Sequence, residues 1–294
     1  MKALLFPGQG SQTVGMAKNH YDSNKDIKKL FDAADKQLGY SLTEIMFDGP
    51  AEKLMQTKFT QPAIFLHSVA LFKSLSLKAD AAAGHSLGEF TALVAAGVID
   101  LETGLDLVSL RGELMQNAGE THPGSMAAII GMDDEVVEEI CDEAITLTNK
   151  HVLPANFNSP GQIVISGNVK AVEKAVELAK GRGCRIAKLL PVSGAFHSPL
   201  MEPALEGLVQ KLNDIEFNRP SFPIYSNYTA EPTDDPGKLK LNLIHQLTNP
   251  VLWTQTLMNM EKNGITDYIE VGPGKVLQGL VKRTLSNPKT EGYE

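Results

Sequence analysis

The 294-residue sequence predicts an α/β protein, a parallel sheet with helices that is interrupted by a smaller unit of four strands and two helices. Three observations lead there. At both ends of the chain, short apolar runs bounded by glycine or proline alternate with helical patterns, the order of an open α/β sheet. Gly84-His85-Ser86-Leu87-Gly88 falls between one such run and a helical pattern. From Ser125 to Val192 the order changes to strand, helix, strand, strand, helix, strand.

Element by element, Met1 to Phe6 reads as a buried strand, and Pro7-Gly8-Gln9-Gly10-Ser11 turns it into a helical region carrying the charged run Lys18 to Lys36. Thr60 as cap and Pro62 as first residue predict a helix through Leu77, with Ala63, Ile64, Leu66, Ala70 and Leu71 on its apolar face. Ala79 to Ala83 is a strand by context, since alanine is a poor strand former. A helix then runs to about Gly97. Next come strand Met126 to Ile130, acidic helix Asp133 to Ala144, strands Val152 to Asn156 and Ile163 to Ser166, helix Val169 to Lys180 and strand Cys184 to Leu190. That βαββαβ order is the ferredoxin-like arrangement and reads as an insertion spanning 125–192, with 1–124 and 193–294 forming the main domain. Strand Phe222 to Ser226, loop Thr229 to Lys240, helix Leu241 to Leu247, strand Asp267 to Val271 and helix Lys275 to Leu285 follow. Ser286 to Glu294 reads as a frayed tail.

Composition narrows the function. Lys and Arg number 27 against 35 Asp and Glu, a net charge of −8, which disfavours nucleic acid, whose binders neutralise phosphates with basic residues. Two cysteines, Cys141 and Cys184, make neither a disulfide framework nor a thiolate metal cluster, so a reducing cytoplasm is expected. Ala3 to Phe6 falls short of the ~7–15 apolar residues of a signal-peptide core, and no run approaches the ~20 needed to span a bilayer. Neither a metal nor a dinucleotide is expected. HExxH and CxxC are absent, and Gly10 to Ala17 has P-loop glycine spacing but puts Met16 and Ala17 where Lys and Ser or Thr belong.

Gly84 to Gly88 matches GxSxG, the nucleophile elbow of α/β-hydrolase-like cores, in which glycines allow a sharp strand-to-helix turn that presents a serine hydroxyl. The helix N-terminus brings the Leu87 N–H and the positive dipole end to where an oxyanion would form. A serine needs a base, and seven histidines are available. His85 points away on its tight turn, His67 lies on an apolar helix face, and His122 precedes Pro123-Gly124. His197 stands in the small-residue loop Val192 to Pro199, just after the insert, which makes it a candidate that spacing alone does not decide. Arg111, within Leu107 to Met115, reads by itself as an ordinary surface arginine.

Five motifs in order carry a resemblance over about the whole chain: Phe6-Pro7-Gly8-Gln9-Gly10-Ser11-Gln12, Gly84-His85-Ser86-Leu87-Gly88-Glu89, Leu110-Arg111-Gly112, Gly194-Ala195-Phe196-His197-Ser198 and Glu270-Val271-Gly272-Pro273-Gly274-Lys275. The chain resembles the malonyl-CoA:acyl carrier protein transacylases, whose members also carry a ferredoxin-like insert. The resemblance implies Ser86 as nucleophile, His197 as base, the Gln246 backbone carbonyl orienting that base, and the Gln9 and Leu87 N–H groups as oxyanion hole. It implies Arg111 as the fork for the malonyl carboxylate. It adds Phe196 as the residue crowding the α-carbon, with Met115, Gln61, Asn156 and Asn227 as further pocket residues. The implied substrate is a coenzyme A thioester and the implied partner an acyl carrier protein bearing phosphopantetheine, with no bound cofactor, no membrane and a monomeric enzyme. Acyl carrier proteins are acidic, so a basic patch is expected despite the net charge of −8. Lys275 and Lys282 share a face of the last helix beside Arg283, with Val276, Leu277, Leu280 and Val281 turned inward, and Lys188 extends the patch. A discrete acyltransferase of polyketide synthesis, a serine hydrolase or thioesterase, and an inactive docking module are the rival readings.

Overall fold

Lys2–Phe6 (β1) is apolar after its first residue, and both its faces are buried, as a central parallel strand requires. Leu4 and Phe6 point into one hydrophobic cluster, Ala3 and Leu5 into another on the opposite face. The computed structural model describes residues 1–192 and 194–294. The expected boundary at Ser193 lies outside the described residues.

Helices Lys18–Ser23 (α1), Lys25–Leu38 (α2), Leu42–Asp48 (α3), Ala51–Leu54 (α4) and Thr57–Ser74 (α5) follow β1. The Asn24 side chain accepts from the Asp26 and Ile27 amides to start α2, and Ser41 accepts from Glu44 to start α3. Then come Ala81–Gly84 (β2), Gly88–Ala95 (α6) and Leu101–Thr121 (α7), the last capped by Asp100. After the insert, Pro199–Met201 forms a 3₁₀ turn leading into Glu202–Asn213 (α10), Ile224–Tyr225 (β7), Pro232–Thr233 (β8), Pro236–Gln246 (α11), Trp253–Lys262 (α12), Asp267–Val271 (β9), Val276–Thr284 (α13) and Lys289–Tyr293 (β10). The main sheet has the order β10-β9-β1-β2-β7-β8, and every pair is parallel except β7 with β8.

The second sheet is separate and antiparallel. Gly124–Ile130 (β3), Asp134–Thr148 (α8), Val152–Ser159 (β4), Gln162–Asn168 (β5), Val169–Gly181 (α9) and Ile186–Leu189 (β6) build it in the order β4-β5-β3-β6. One face has its own core, in which Ile129, Ile163 and Ile165 meet Val137, Ile140 and Val172 of the two helices, while Met126, Ala155 and Val164 on the other face join the main core. Edge strand β4 is joined to the main body: Phe157 N–H donates to Val251 O at 2.9 Å, Val251 N–H to Ala155 O at 2.8 Å, and the Thr254 hydroxyl to Phe157 O at 3.0 Å.

Four expectations are corrected. Helix α5 begins at Thr57 rather than Pro62 and ends at Ser74 rather than Leu77, with Thr60 and Pro62 both inside it. Pro62 is the sixth residue of α5, so the helix forgoes the single bond its N–H would make to the Lys58 carbonyl, and Thr60 instead of capping donates its hydroxyl to the Leu54 carbonyl at 2.5 Å. Helix α11 starts at Pro236, not Leu241, because Asp235 caps the Lys238 amide at 3.0 Å and Pro236 fits the first turn. Strand β2 is shifted to Ala81–Gly84. The supposed tail is strand β10, paired in parallel with β9 from Lys289↔Asp267 to Tyr293↔Val271. An edge strand with polar, exposed residues carries no apolar signature, so its sequence does not announce it.

Candidate active site

Two main-sheet strands point their C-terminal ends at the same spot. Phe6 ends β1 and leads into the Pro7–Gln12 loop, and Gly84 ends β2 and leads into the turn before α6. In that turn a Cβ on Gly84 would lie 1.8 Å from the Gly88 carbonyl carbon, and one on Gly88 would lie 2.0 Å from the Phe6 carbonyl oxygen. Only glycines permit the turn to close this tightly. Ser86 between them is held at φ 52°. His197 has φ 56°, so two of the five non-glycine residues in the left-handed region among the described residues face each other here.

The Ser86 Oγ lies 2.7 Å from His197 Nε2, and His197 Nδ1 lies 2.9 Å from the Gln246 carbonyl oxygen. A carbonyl only accepts, so Nδ1 carries the proton and Nε2 presents its lone pair to the serine hydroxyl. Arg111 Nη2 donates to the same Oγ at 3.2 Å, which leaves the hydroxyl proton for the imidazole. Burial first, and then the Arg111 charge, hold His197 down at about 3, so the imidazole is neutral. The Gln9 and Leu87 amides, on the two loops beside Ser86, donate to no group among the described residues.

Arg111 is not at the surface. It is 1% exposed, on α7, with Nη1 donating to Gln61 Oε1 at 2.8 Å and Nη2 to Gln246 Oε1 at 3.0 Å, and its guanidinium lies over the Phe90 ring. No carboxylate lies within ion-pair distance among the described residues, and Nε has no partner. Burial pulls its pKa down to about 10 against the countering pull of Glu89. Gln61 Nε2 in turn faces the Met115 sulfur at 3.2 Å.

Ser86, His197, Gln9, Gln61, Met115, Asn156 and Phe196 line one cavity of about 300 Å³ between the two sheets, closed on the insert side by Met126, Val164 and Leu190. Asn227 does not line it, which corrects its expected place. Its Oδ1 accepts from the Ser86 amide at 2.6 Å and its Nδ2 donates to the Gly84 carbonyl at 2.7 Å, so it braces the turn from behind. Two residues at the turn escaped the sequence reading. Asn158 Oδ1 lies 2.8 Å from His85 Nε2 across the cavity wall, and Glu89 is 1% exposed beneath the turn. The basic candidates stand apart from the reacting groups: Lys275 precedes α13 rather than lying in it, and Lys188 is exposed on β6. Arg283 donates to Gln162 at 2.9 Å at the cavity's edge. Val276, expected to face inward, is 51% exposed because its position at the start of α13 carries it to the cavity mouth. Among the described residues no cluster of three or more His, Cys, Asp or Glu side chains stands together, and no helix is long and apolar enough to cross a membrane.

A serine–histidine couple beside a buried, carboxylate-free arginine on a mixed α/β frame defines an acyl-transfer type of site. The family model described as "Acyl transferase domain" matches residues 3–293, and the chain belongs to that family of acyltransferase enzymes. It is 44% identical over 291 residues to the malonyl CoA-acyl carrier protein transacylase of Bacillus subtilis (98% of this chain, 92% of that one) and 44% over 285 residues to the Escherichia coli K12 protein of the same name (96% and 92%). The crystal structure of an acyl carrier protein S-malonyltransferase from Vibrio cholerae superposes with a TM-score of 0.94 at 43% identity, covering 100% of this chain and 96% of that one. A malonyl-transacylase solved in complex with a type II PKS acyl-carrier protein superposes with a TM-score of 0.95 at 40% identity, covering 99% and 95%.

Proposed function

We propose that this acyltransferase moves the malonyl group of malonyl-CoA onto the phosphopantetheine thiol of an acyl carrier protein, supplying extender units for fatty acid synthesis. The observation that carries the reading is Arg111, a buried guanidinium with neutral acceptors on two sides, 3.2 Å from the Ser86 hydroxyl. Burying a charge without a counter-ion is costly, and a carboxylate held next to the serine offsets that cost. An ester or thioester without a free carboxylate gives the arginine nothing to bind, which sets this reading above a plain hydrolase.

In this mechanism the Ser86 Oγ attacks the thioester carbonyl while its proton passes to His197 Nε2. The oxyanion is held by the Gln9 and Leu87 N–H groups. When the tetrahedral intermediate collapses, the C–S bond breaks and the proton on Nε2 goes to the departing coenzyme A sulfur, leaving malonyl-Ser86. The carrier's thiol then gives its proton to Nε2 and attacks the ester, the C–O bond to Ser86 breaks, and Nε2 passes that proton to the departing Oγ, which restores the serine and the neutral imidazole. One thioester replaces another, so the exchange needs no cofactor or energy source. The malonyl carboxylate on Arg111 also quenches the charge that disfavours the His197 imidazolium, so the substrate itself strengthens the base. Phe196, with Met115, Gln61 and Asn156, bounds the acyl pocket and crowds the α-carbon.

We read the main sheet, 1–124 with 193–294, as an α/β-hydrolase-like core and 125–192 as a ferredoxin-like insert, in a monomeric cytoplasmic enzyme. The antiparallel order β4-β5-β3-β6 supports the second part. Lys275, Lys282, Arg283 and Lys188 are the surface offered to the acidic carrier. Service to a polyketide synthase is the alternative that one related complex favours. Incubation with malonyl-CoA should add one malonyl mass to the protein, on the peptide containing Ser86. Absence of that adduct refutes the reading.

A further inference from the structure

Glu89 follows the Ser86 turn directly and looks at first like an acidic residue favouring a helix N-terminus. Its surroundings point elsewhere. It is 1% exposed, and its Oε2 accepts from the Gln246 side-chain Nε2 at 2.8 Å and from the Asn227 backbone amide at 3.1 Å. Gln246 is itself fully buried and links Glu89 to three reacting or binding groups: its backbone carbonyl meets His197, its Nε2 also donates to the Ser86 carbonyl at 3.0 Å, and its Oε1 accepts from Arg111.

A side-chain amide has one donating and one accepting end, so what fixes its direction fixes what it offers. A carboxylate only accepts and a guanidinium only donates. Between them, Gln246 has one arrangement that satisfies both, with NH₂ toward Glu89 and oxygen toward Arg111. Turned over, it would push NH₂ against a buried cation and oxygen against a buried anion. Asn227 extends the same logic to the nucleophile, because its amide donates to Glu89 while its side chain holds the Ser86 and Gly84 backbone.

We propose that Glu89 is a positioning residue for the acyl-group carboxylate: through the Gln246 amide it holds Arg111 in the orientation that recognises malonyl, at the same time fixing the Ser86 turn through Asn227. The inference rests on the reading of Arg111 given above. Glu89 touches no substrate atom; its link through Gln246 to Arg111 acts on which acyl group is accepted, while its link through Asn227 to the Ser86 turn acts on all acyl groups alike. The Arg111 charge also lies close enough to favour ionised Glu89, while burial pushes the carboxyl up to about 7.

The test is the ratio of Ser86 acylation by malonyl-CoA to that by acetyl-CoA, kcat/KM for each, in folded protein checked by circular dichroism. Glu89→Leu should lower that ratio at least about tenfold, the loss associated with one hydrogen bond to a charged group, with the change concentrated in the malonyl KM. Glu89→Gln, whose amide oxygen can accept both bonds, should restore the ratio to within about threefold of the native protein. An equal fall for both acyl groups in Glu89→Leu, or a Glu89→Gln as poor as Glu89→Leu, overturns the proposal. If Glu89→Leu does not fold, Gln246→Met cuts the same link while keeping the backbone carbonyl for His197, and an unaltered ratio there overturns it equally. Arg111→Met separates the two readings. If it abolishes malonyl preference while the Glu89 and Gln246 variants leave it intact, only the relay fails. If Arg111→Met keeps that preference, the carboxylate reading itself fails.

Discussion

Replacing Arg111 by methionine, close in length and without charge, should leave the protein about as stable and make it much less able to use malonyl-CoA. Burial pulls the guanidinium down to about 10 from an ordinary 12.5, which corresponds to about 3 kcal/mol spent on keeping the charge inside. Methionine removes that cost but leaves Gln61 Oε1 and Gln246 Oε1 without their donor, at about 1 kcal/mol each. Buried Glu89 also loses the nearby positive charge that favours its ionised form, so the gain and the losses nearly cancel and Tm should move by no more than about 4 °C. The malonyl carboxylate then enters a buried site with no cation, a loss of about 3–5 kcal/mol, so acylation by malonyl-CoA should fall roughly 10²- to 10⁴-fold. Acetyl-CoA brings no carboxylate and loses only the effect of the 3.2 Å bond from Arg111 to Ser86 Oγ, within about tenfold. Differential scanning calorimetry and stopped-flow acylation with the two thioesters measure both halves. A Tm lowered by more than that, together with equal losses for malonyl and acetyl, would make Arg111 a structural residue and refute the reasoning.

Three further outcomes are expected. His197→Ala should slow acylation at least ~10²-fold, and because burial holds the native imidazole at about 3, the native rate should show no protonation step near pH 6.5, as a pH series of single-turnover rates would reveal. Gly8→Ala should cost at least tenfold in kcat, because its Cβ would sit 2.3 Å from the His85 carbonyl and push the Gln9 amide off the oxyanion; a single-turnover rate matching the native one would count against Gln9. His67, buried with both ring nitrogens unpartnered, is pulled down to about 4, so the unfolded chain binds its proton first and stability falls as pH drops from about 6.5 to 4, by up to about 3 kcal/mol. His67→Leu should flatten part of that acid limb in urea titrations.

What the sequence reveals of this architecture depends on how local the signal is. Gly84-His85-Ser86-Leu87-Gly88 carries its own steric reason, and the alternating strands and helices of the insert are written in nearby residues, so both are readable without a structure. Arg111 is different. Nothing in Leu107 to Met115 says that Gln61, Phe90 and Gln246, from three other helices, enclose its side chain. Glu89, and the bracing role of Asn227, escape for the same reason, since their partners are 157 and 141 residues away. Strand β10 fails differently: its pairing with β9 is carried by backbone, and Lys289-Thr290-Glu291-Gly292-Tyr293 has the composition of a loose end. Pro62 misleads because a helix start and an early interior position look alike in sequence.

The hydrogen bonds that join Phe157 and Ala155 of β4 to Val251 have a consequence for how the molecule opens. The insert has its own core and on that account could melt by itself, yet its edge strand is held by the segment between α11 and α12, which starts directly after Gln246, the last residue of α11. Detaching the insert therefore strips protection from Val251 and loosens the support of His197 in the same event. In a native-state hydrogen-exchange experiment the amides of Val251 and Phe157 should exchange with one common free energy, and the acyl pocket should persist or vanish as a whole rather than breathe wall by wall.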